Sequence, residues 1–481
     1  MKHAAQRSFE WCEGWGMAFG NYARVLRPRS IDELRACLHW AQSEQVPLAL
    51  RGGGCSYGDA NTTARGAVLD LARWNERLEF DPATGIADVD PGVTVRQLWQ
   101  AILPHGHWPR VVSGTMYPTM AGAAAMNIHG KNAWKVGPLG DSILEFDLLS
   151  MRGELVTCSR DAHPELFHAA IGGAGLLGVM TRVRLKTKPV SSGELWVRAK
   201  RTQSLAETMQ WMESRLSAAD YLVAWLDCFA QGEASGRGVI HEARHLQAGE
   251  DAAPARTLSV AHQELPARIA GLFPKSEVWR ILRWINHAPG MRALNATKHL
   301  LGEVEERQGW YRQSHAAFAF LLDYVPNWKW AYGRHNRHGL VQHQLFVPHA
   351  QALEVFLAVL ERDRRAGHAS FLGVLKRHRA DAFRLTHGVD GWSLALDYKV
   401  EPQNRNALLA HLDGNTRLVL EAGGRLYLAK DAVIGMHDAR RMWGDATLAD
   451  FGALKRSQDP QGLLQSDQHR RVFGPAWEAL A

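Results

Sequence analysis

The chain has 481 residues, 46% hydrophobic and 22% charged, with a formal net charge of +7 at pH 7. This is the composition of a globular protein with two or more core-bearing units, and it excludes a disordered or fibrous chain. The mild basic excess favours anionic substrates or anionic lipid surfaces, whereas scattered basic residues without a recognition motif argue against nucleic acid.

The first residues, Met1-Lys2-His3-Ala4-Ala5-Gln6-Arg7, contain no apolar signal core. No stretch approaches ~18 uninterrupted apolar residues, so no membrane span is expected. The five cysteines (Cys12, Cys37, Cys55, Cys158, Cys228) are odd in number and widely spaced. They predict reduced thiols, a cytoplasmic location and no metal site.

Ser30-Ile31-Asp32-Glu33 reads as a capping box, with Leu34, Cys37, Leu38 and Ala41 on one apolar helical face. A short strand is expected at Val46–Leu50. The loop Arg51-Gly52-Gly53-Gly54-Cys55-Ser56-Tyr57-Gly58-Asp59 follows it. Its glycines permit repeated positive φ and close ligand approach, and successive amides there can cradle a pyrophosphate. The loop therefore proposes a dinucleotide without saying which. No Gly-Lys-Ser/Thr follows, so a Walker-type loop is excluded.

Further strands are expected at Val68–Leu71 and Ile86–Asp90, and Thr94 opens a helix with Val95, Leu98, Trp99 and Ile102 on its apolar side. Gly173-Ala174-Gly175-Leu176-Leu177-Gly178 fits G-x-G-x-x-G literally. A Rossmann site needs a strand before that motif and a helix after it. Here the helical pattern of Asp161–Ile171 precedes it and the alternating strand Val179–Leu185 follows, so a nicotinamide site is rejected.

The texture changes near residue 190. Ser204 caps another helix, and Leu340–Val347 alternates as a strand. Residues 271–313 stand apart, because Val278-Trp279-Arg280-Ile281-Leu282-Arg283-Trp284-Ile285 mixes bulky apolar side chains with two arginines. This segment reads either as a partly buried helix or as a lid that grips a lipid-linked substrate.

The glycine loop, Ser113-Gly114-Thr115, Gly122 and Asn127-Ile128-His129-Gly130-Lys131-Asn132 together resemble vanillyl-alcohol oxidase-type FAD-linked oxidoreductases. Trp328 with Ala331-Tyr332-Gly333, Gln342-His343-Gln344, Lys376, Asp397 and Gly423-Gly424-Arg425-Leu426-Tyr427-Leu428-Ala429-Lys430-Asp431 extend the likeness to the decaprenylphosphoryl-β-D-ribose 2′-oxidase branch, over roughly residues 16 to 475. The resemblance implies an α+β fold in which a two-part FAD-binding domain (1–190 and 421–481) carries an inserted antiparallel-sheet substrate domain (191–420).

It also implies FAD-dependent oxidation of a secondary alcohol on a sugar or polyprenyl-phosphosugar by hydride transfer to flavin N5. The electron acceptor would be oxygen or a quinone, a reductase partner could complete an epimerisation, and the protein could sit peripherally at the inner membrane face. An alditol, lactone or other alcohol oxidase using oxygen is the alternative, and a non-catalytic flavin-binding sensor is the alternative of another class.

By resemblance, Lys430 lies near flavin and substrate, where a cation stabilises the anionic reduced flavin. Lys376 would hold a phosphate or sugar oxygen, and Gln342 and Gln344 share one strand face toward substrate or flavin. His129 would either accept the hydroxyl proton or pack beside the ring. The expected cofactor residues are Arg51, Gly52, Gly53, Gly54, Cys55, Ser56, Tyr57, Gly58, Ser113, Gly114, Thr115, Gly122, Asn127, His129, Gly130, Asn132, Gly178, Tyr427 and Lys430.

Cys55 stands where many relatives carry a flavin-linked histidine, so non-covalent FAD is expected. Ser393 and Ala395 replace the branch's asparagine and cysteine, so a different substrate or pose is expected.

Overall fold

The structure is a computed structural model and describes residues 8–269, 271–333 and 338–474. Near the N-terminus, strands Ser8–Glu13, Gly20–Leu26, Ala67–Asp70 and Leu48–Arg51 form a sheet in that spatial order. Its first pair is antiparallel and the other two pairs are parallel. Helix Ile31–Ser43 covers this sheet with Leu34, Cys37, Leu38 and Ala41, packed against Leu26, Leu48 and Leu69.

The Ser30 hydroxyl accepts from the Glu33 amide at 3.2 Å, but the Glu33 carboxylate accepts from the Arg29 amide instead of closing the box. The strand expected at Val46 begins at Leu48, because the Val46 amide is spent on Ala41 O at the helix exit.

A second sheet runs Leu78–Asp81, Ile86–Val89, Val179–Pro189, Ile143–Leu149, Leu155–Ser159, all antiparallel, with His107–Pro109 beside Val179–Pro189. The literal G-x-G-x-x-G lies between helix Pro164–Ala170 and strand Val179–Pro189. Ala174, Gly175 and Gly178 have positive φ there. The motif is a helix-to-strand turn.

The third sheet is eight-stranded and antiparallel: Tyr311–Ser314, Glu194–Thr202, Gly238–His245, Tyr221–Leu226, Leu372–His378, Gly391–Val400, Gly339–Pro348, Arg425–Leu426. One face, bearing Ala224, Ile240, Leu345, Leu375 and Leu394, packs into the core shared with helices Leu205–Arg215, His349–Arg365 and Arg405–Glu421. Because side chains alternate, the opposite face carries Trp225, Val374, Lys376, Ala395, Gln342 and Gln344. That face is left for a ligand.

The C-terminal segment returns to the N-terminal sheet. The Leu48 amide donates to Leu463 O at 2.7 Å, and the Asp467 carboxylate accepts from Asn21 Nδ2, Thr62 Oγ1 and the Ala64 amide. Arg471 pairs with Asp59 at 2.7 Å and Asp431 at 2.8 Å.

Candidate active site

A cavity of about 660 Å³ opens between the glycine loop and the free face of the eight-stranded sheet. Leu50–Tyr57, Ser113–Thr115, Gly122, Gly175 and Gly178 line one end; Gln342, Gln344, Lys376, Tyr427 and Lys430 line the junction.

The glycines act differently from the expectation of repeated positive φ. Within the loop only Gly54 is left-handed, at φ +65°. Gly52, Gly53 and Gly58 are required by close approach, since a Cβ on each would run into the Thr119 hydroxyl, Tyr117 O and Asp431 O respectively.

Among the described residues, no hydrogen bond within the protein engages the amides of Gly53, Gly54, Cys55 or Ser56. The buried hydroxyls of Tyr57 and Thr119, both on the cavity wall, also lack partners. A nest of free amides flanked by unsatisfied hydroxyls fits a pyrophosphate-bearing cofactor such as FAD. Cys55 lines the same wall, and burial pushes its thiol up to about 11.

At the junction, the Lys430 ammonium stands 3.4 Å from the centroid of the Tyr57 ring. The Tyr57 amide donates to Ala429 O at 2.9 Å, tying the glycine loop to the C-terminal segment. Asp397 is buried; its Oδ1 accepts from Gln342 Nε2 at 2.6 Å and its Oδ2 has no hydrogen-bond partner. Burial lowers the Lys430 pKa and raises that of Asp397, and the attraction between the two opposes both shifts. Lys376 lies on the same face, and burial lowers its pKa to about 8.

His129 is enclosed by His378, His387, Phe346 and Tyr427, with ring centroids 4.9–5.6 Å away. Its Nε2 meets Gln344 Nε2 at 3.0 Å. Burial, then the charges of Lys376, His378 and His387, hold its pKa well below the usual histidine value. These surroundings favour the neutral ring. Ser393 is fully buried and bonds His378 Nε2 at 2.8 Å, whereas Ala395 lines the cavity.

Lys430, His129, Lys376, Gln342 and Gln344 thus line one cavity, as do Arg51, Gly52, Gly53, Gly54, Cys55, Ser56, Tyr57, Ser113, Gly114, Thr115, Gly122, Gly178 and Tyr427. Gly58, Asn127, Gly130 and Asn132 do not line it. Gly58 packs on Asp431, and Gly130 stands tight against the Asn132 side chain. Asn127, left-handed at φ +45°, accepts from the Gly140 amide at 2.8 Å. Asn132 donates to Arg110 O at 2.9 Å. These four shape the loops behind the wall.

Other lining residues were not singled out in the sequence. Thr119, Tyr324 and Lys298 are examples; Met291, Leu294, Asn295 and Lys298 share one face of helix Ala288–Arg307 by their i, i+3, i+4, i+7 spacing. That spacing was the available signal. Asp323, from the same half of the chain, accepts from Thr115 Oγ1 at 2.8 Å and from the Met116 amide at 2.7 Å.

An FAD binding domain family matches residues 22–159, the stretch that holds the glycine loop and Ser113–Thr115. Fold, cavity and this match define an FAD-dependent oxidoreductase, with FAD as its cofactor. Over 470 residues the chain is 31% identical to decaprenylphosphoryl-beta-D-ribose oxidase of Mycolicibacterium smegmatis, covering 95% of this chain and 96% of that protein. The chain belongs to that family. It is also 25% identical to a putative D-arabinono-1,4-lactone oxidase of Neurospora crassa, over 95% of this chain and 85% of the relative. Cytokinin dehydrogenase 6 of Oryza sativa matches at 34% over 36% of this chain and 35% of its own.

Proposed function

We propose that this oxidoreductase acts on a secondary alcohol of a pentose carried on a polyprenyl phosphate. The observation that carries the reading is the convergence of Lys430, Lys376, Gln342 and Gln344 on one cavity whose other end is the glycine loop. The full-length likeness to a decaprenylphosphoryl-ribose oxidase points the same way.

When bound, FAD would supply the acceptor for the hydride of the carbinol C–H. Lys430 supplies positive charge at the junction, Lys376 holds a sugar or phosphate oxygen, and Gln342 and Gln344 orient hydroxyls. His129 shapes the pocket rather than taking a proton, because its cluster disfavours an imidazolium and Gln344 occupies its Nε2. Ala395 leaves room beside Lys376 for a substrate or pose of its own. The cofactor is held without a covalent bond.

The division into a two-part FAD domain (1–190 and 421–481) and an inserted substrate domain (191–420) is supported by the C-terminal ties to Leu48, Asp59 and Thr62. The large sheet, drawn almost wholly from 194–400, also supports it. Leu272, Ile281, Trp284, Leu300 and Val304 are exposed near Arg280, Arg283 and Arg292. This mixture suits a peripheral contact with an anionic bilayer on the cytoplasmic face.

Anaerobic titration of flavin absorbance against polyols, free sugars and polyprenyl-phosphosugars tests the substrate. Bleaching by the phosphosugar alone supports the reading, and bleaching by free polyols alone rejects it. The lactone-oxidase relative favours a second reading, an alcohol oxidase using oxygen. Fast reoxidation of the reduced enzyme in air would support it, whereas fast turnover only with a quinone would not.

A further inference from the structure

We propose that Lys298 is the phosphate-recognition residue of the cavity, selecting ligands that carry a phosphate over the Trp225–Val374 floor and an apolar chain leaving past Leu282 and Leu294. The inference deepens the proposed function and rests on it for the sugar, though not for the phosphate.

Lys298 lines the cavity from the side opposite the sheet, and its ammonium stands 4.5 Å from the Trp225 ring centroid. Among the described residues it forms no ion pair. Glu305, the acid that acts on it electrostatically, instead meets His241 Nε2 at 3.3 Å. Lys298 is solvent-exposed on its outer side, at the cavity rim, and partial desolvation of its ammonium lowers its pKa to about 8. A cation over a tryptophan face is held only weakly. An anionic ligand completes the site.

The sheet sets the scale. Trp225 pairs in register with Val374, and Lys376 lies two residues along that strand. With strands about 4.8 Å apart and about 3.3 Å of rise per residue, Trp225 and Lys376 are about 8 Å apart in the plane of the sheet. Lys298 above and Lys376 below therefore flank one stretch of apolar floor. A phosphate fits between them, with a sugar reaching toward Lys430. On the outer side, Leu282 and Leu294 also line the cavity, and Trp284 and Leu300 beyond them are exposed. This gives an apolar tail a path to the surface.

The test uses the FAD-loaded enzyme and two soluble probes, dodecyl phosphate and dodecanol, with binding measured by calorimetry. Wild type should bind the phosphate at least tenfold more tightly than the alcohol. Lys298→Met, which keeps the packing, should lose that preference while binding dodecanol as before, and Lys298→Arg should restore most of it. Lys298→Gln provides a second neutral variant in case the methionine variant loses FAD. Equal affinity of wild type for both probes, or dodecyl phosphate binding unchanged in both neutral variants, would overturn the proposal. The probes carry no sugar, so a Lys298-dependent preference alongside a flavin that no phosphosugar bleaches would reject the proposed function and leave the phosphate site standing.

Discussion

Lys430 stands on the Tyr57 ring with Asp397 acting on it electrostatically, and under the proposed function it stabilises the negative charge of the reduced cofactor. Lys430→Ala is expected to retain FAD and to slow flavin reduction by roughly 10²- to 10³-fold, the scale of losing one electrostatic stabiliser. Stopped-flow reduction with the bleaching substrate checks this; a near-normal rate would remove Lys430 from the chemistry. Lys376 and Lys298 together give a pH dependence. Both pKa values are lowered to about 8, so the two ammonium groups are present below that pH and lost above it. KM for a phosphorylated substrate should therefore rise as pH passes 8, while KM for an uncharged alcohol stays flat. The Cys55 thiol, pushed to about 11, stays protonated at neutral pH. Acid precipitation should release all the yellow colour to the supernatant, and a yellow pellet would demonstrate a covalent link. At this scale much was legible, because the lysines and glutamines sit in distinctive local strings. The glycines were only half legible: their packing partners Thr119, Tyr117 and Asp431 lie far away in sequence.

The element least readable from its own residues is helix Val278–Ile285. Its apolar residues and arginines allow either a buried or an exposed face, and neighbours decide which. Trp279 is buried and packs edge-on against Trp330 at 5.6 Å, whereas Trp284 is 82% exposed. The two tryptophans therefore do not share one lipid-gripping role: Trp279 is core, and Trp284 alone is free to meet a bilayer. Trp279→Ala is expected to cost about 3 kcal/mol of stability, in the range for truncating a buried aromatic. Trp284→Ala should leave the thermal midpoint unchanged and reduce co-sedimentation with anionic phospholipid vesicles several-fold. Equal sedimentation of wild type and variant would sink the bilayer contact. Leu282, between them, faces the cavity, so one short helix serves the core, the ligand and the surface.

For the molecule as a whole, cohesion depends on the last fifty residues closing onto the first seventy. Asp467 is the knot, accepting from Asn21 at 2.8 Å, Thr62 at 3.1 Å and the Ala64 amide at 2.9 Å. Asp467→Ala strands these donors and should cost about 2–3 kcal/mol, with earlier thermal release of FAD. Intact flavin retention on heating would show that the C-terminal segment does not brace the cofactor loop. The sequence alone determined individual strands and helices such as Ile31–Ser43 and Val179–Pro189, the dinucleotide loop and the rejection of a Rossmann site, because these depend on residues within a few positions of each other. Only the tertiary structure decided which face of the eight-stranded sheet meets the glycine loop, that Asn127 and Asn132 brace loops instead of lining the cavity, and that Lys298 looks down on Trp225. Those outcomes depend on contacts between segments tens to hundreds of residues apart, and no local pattern encodes them.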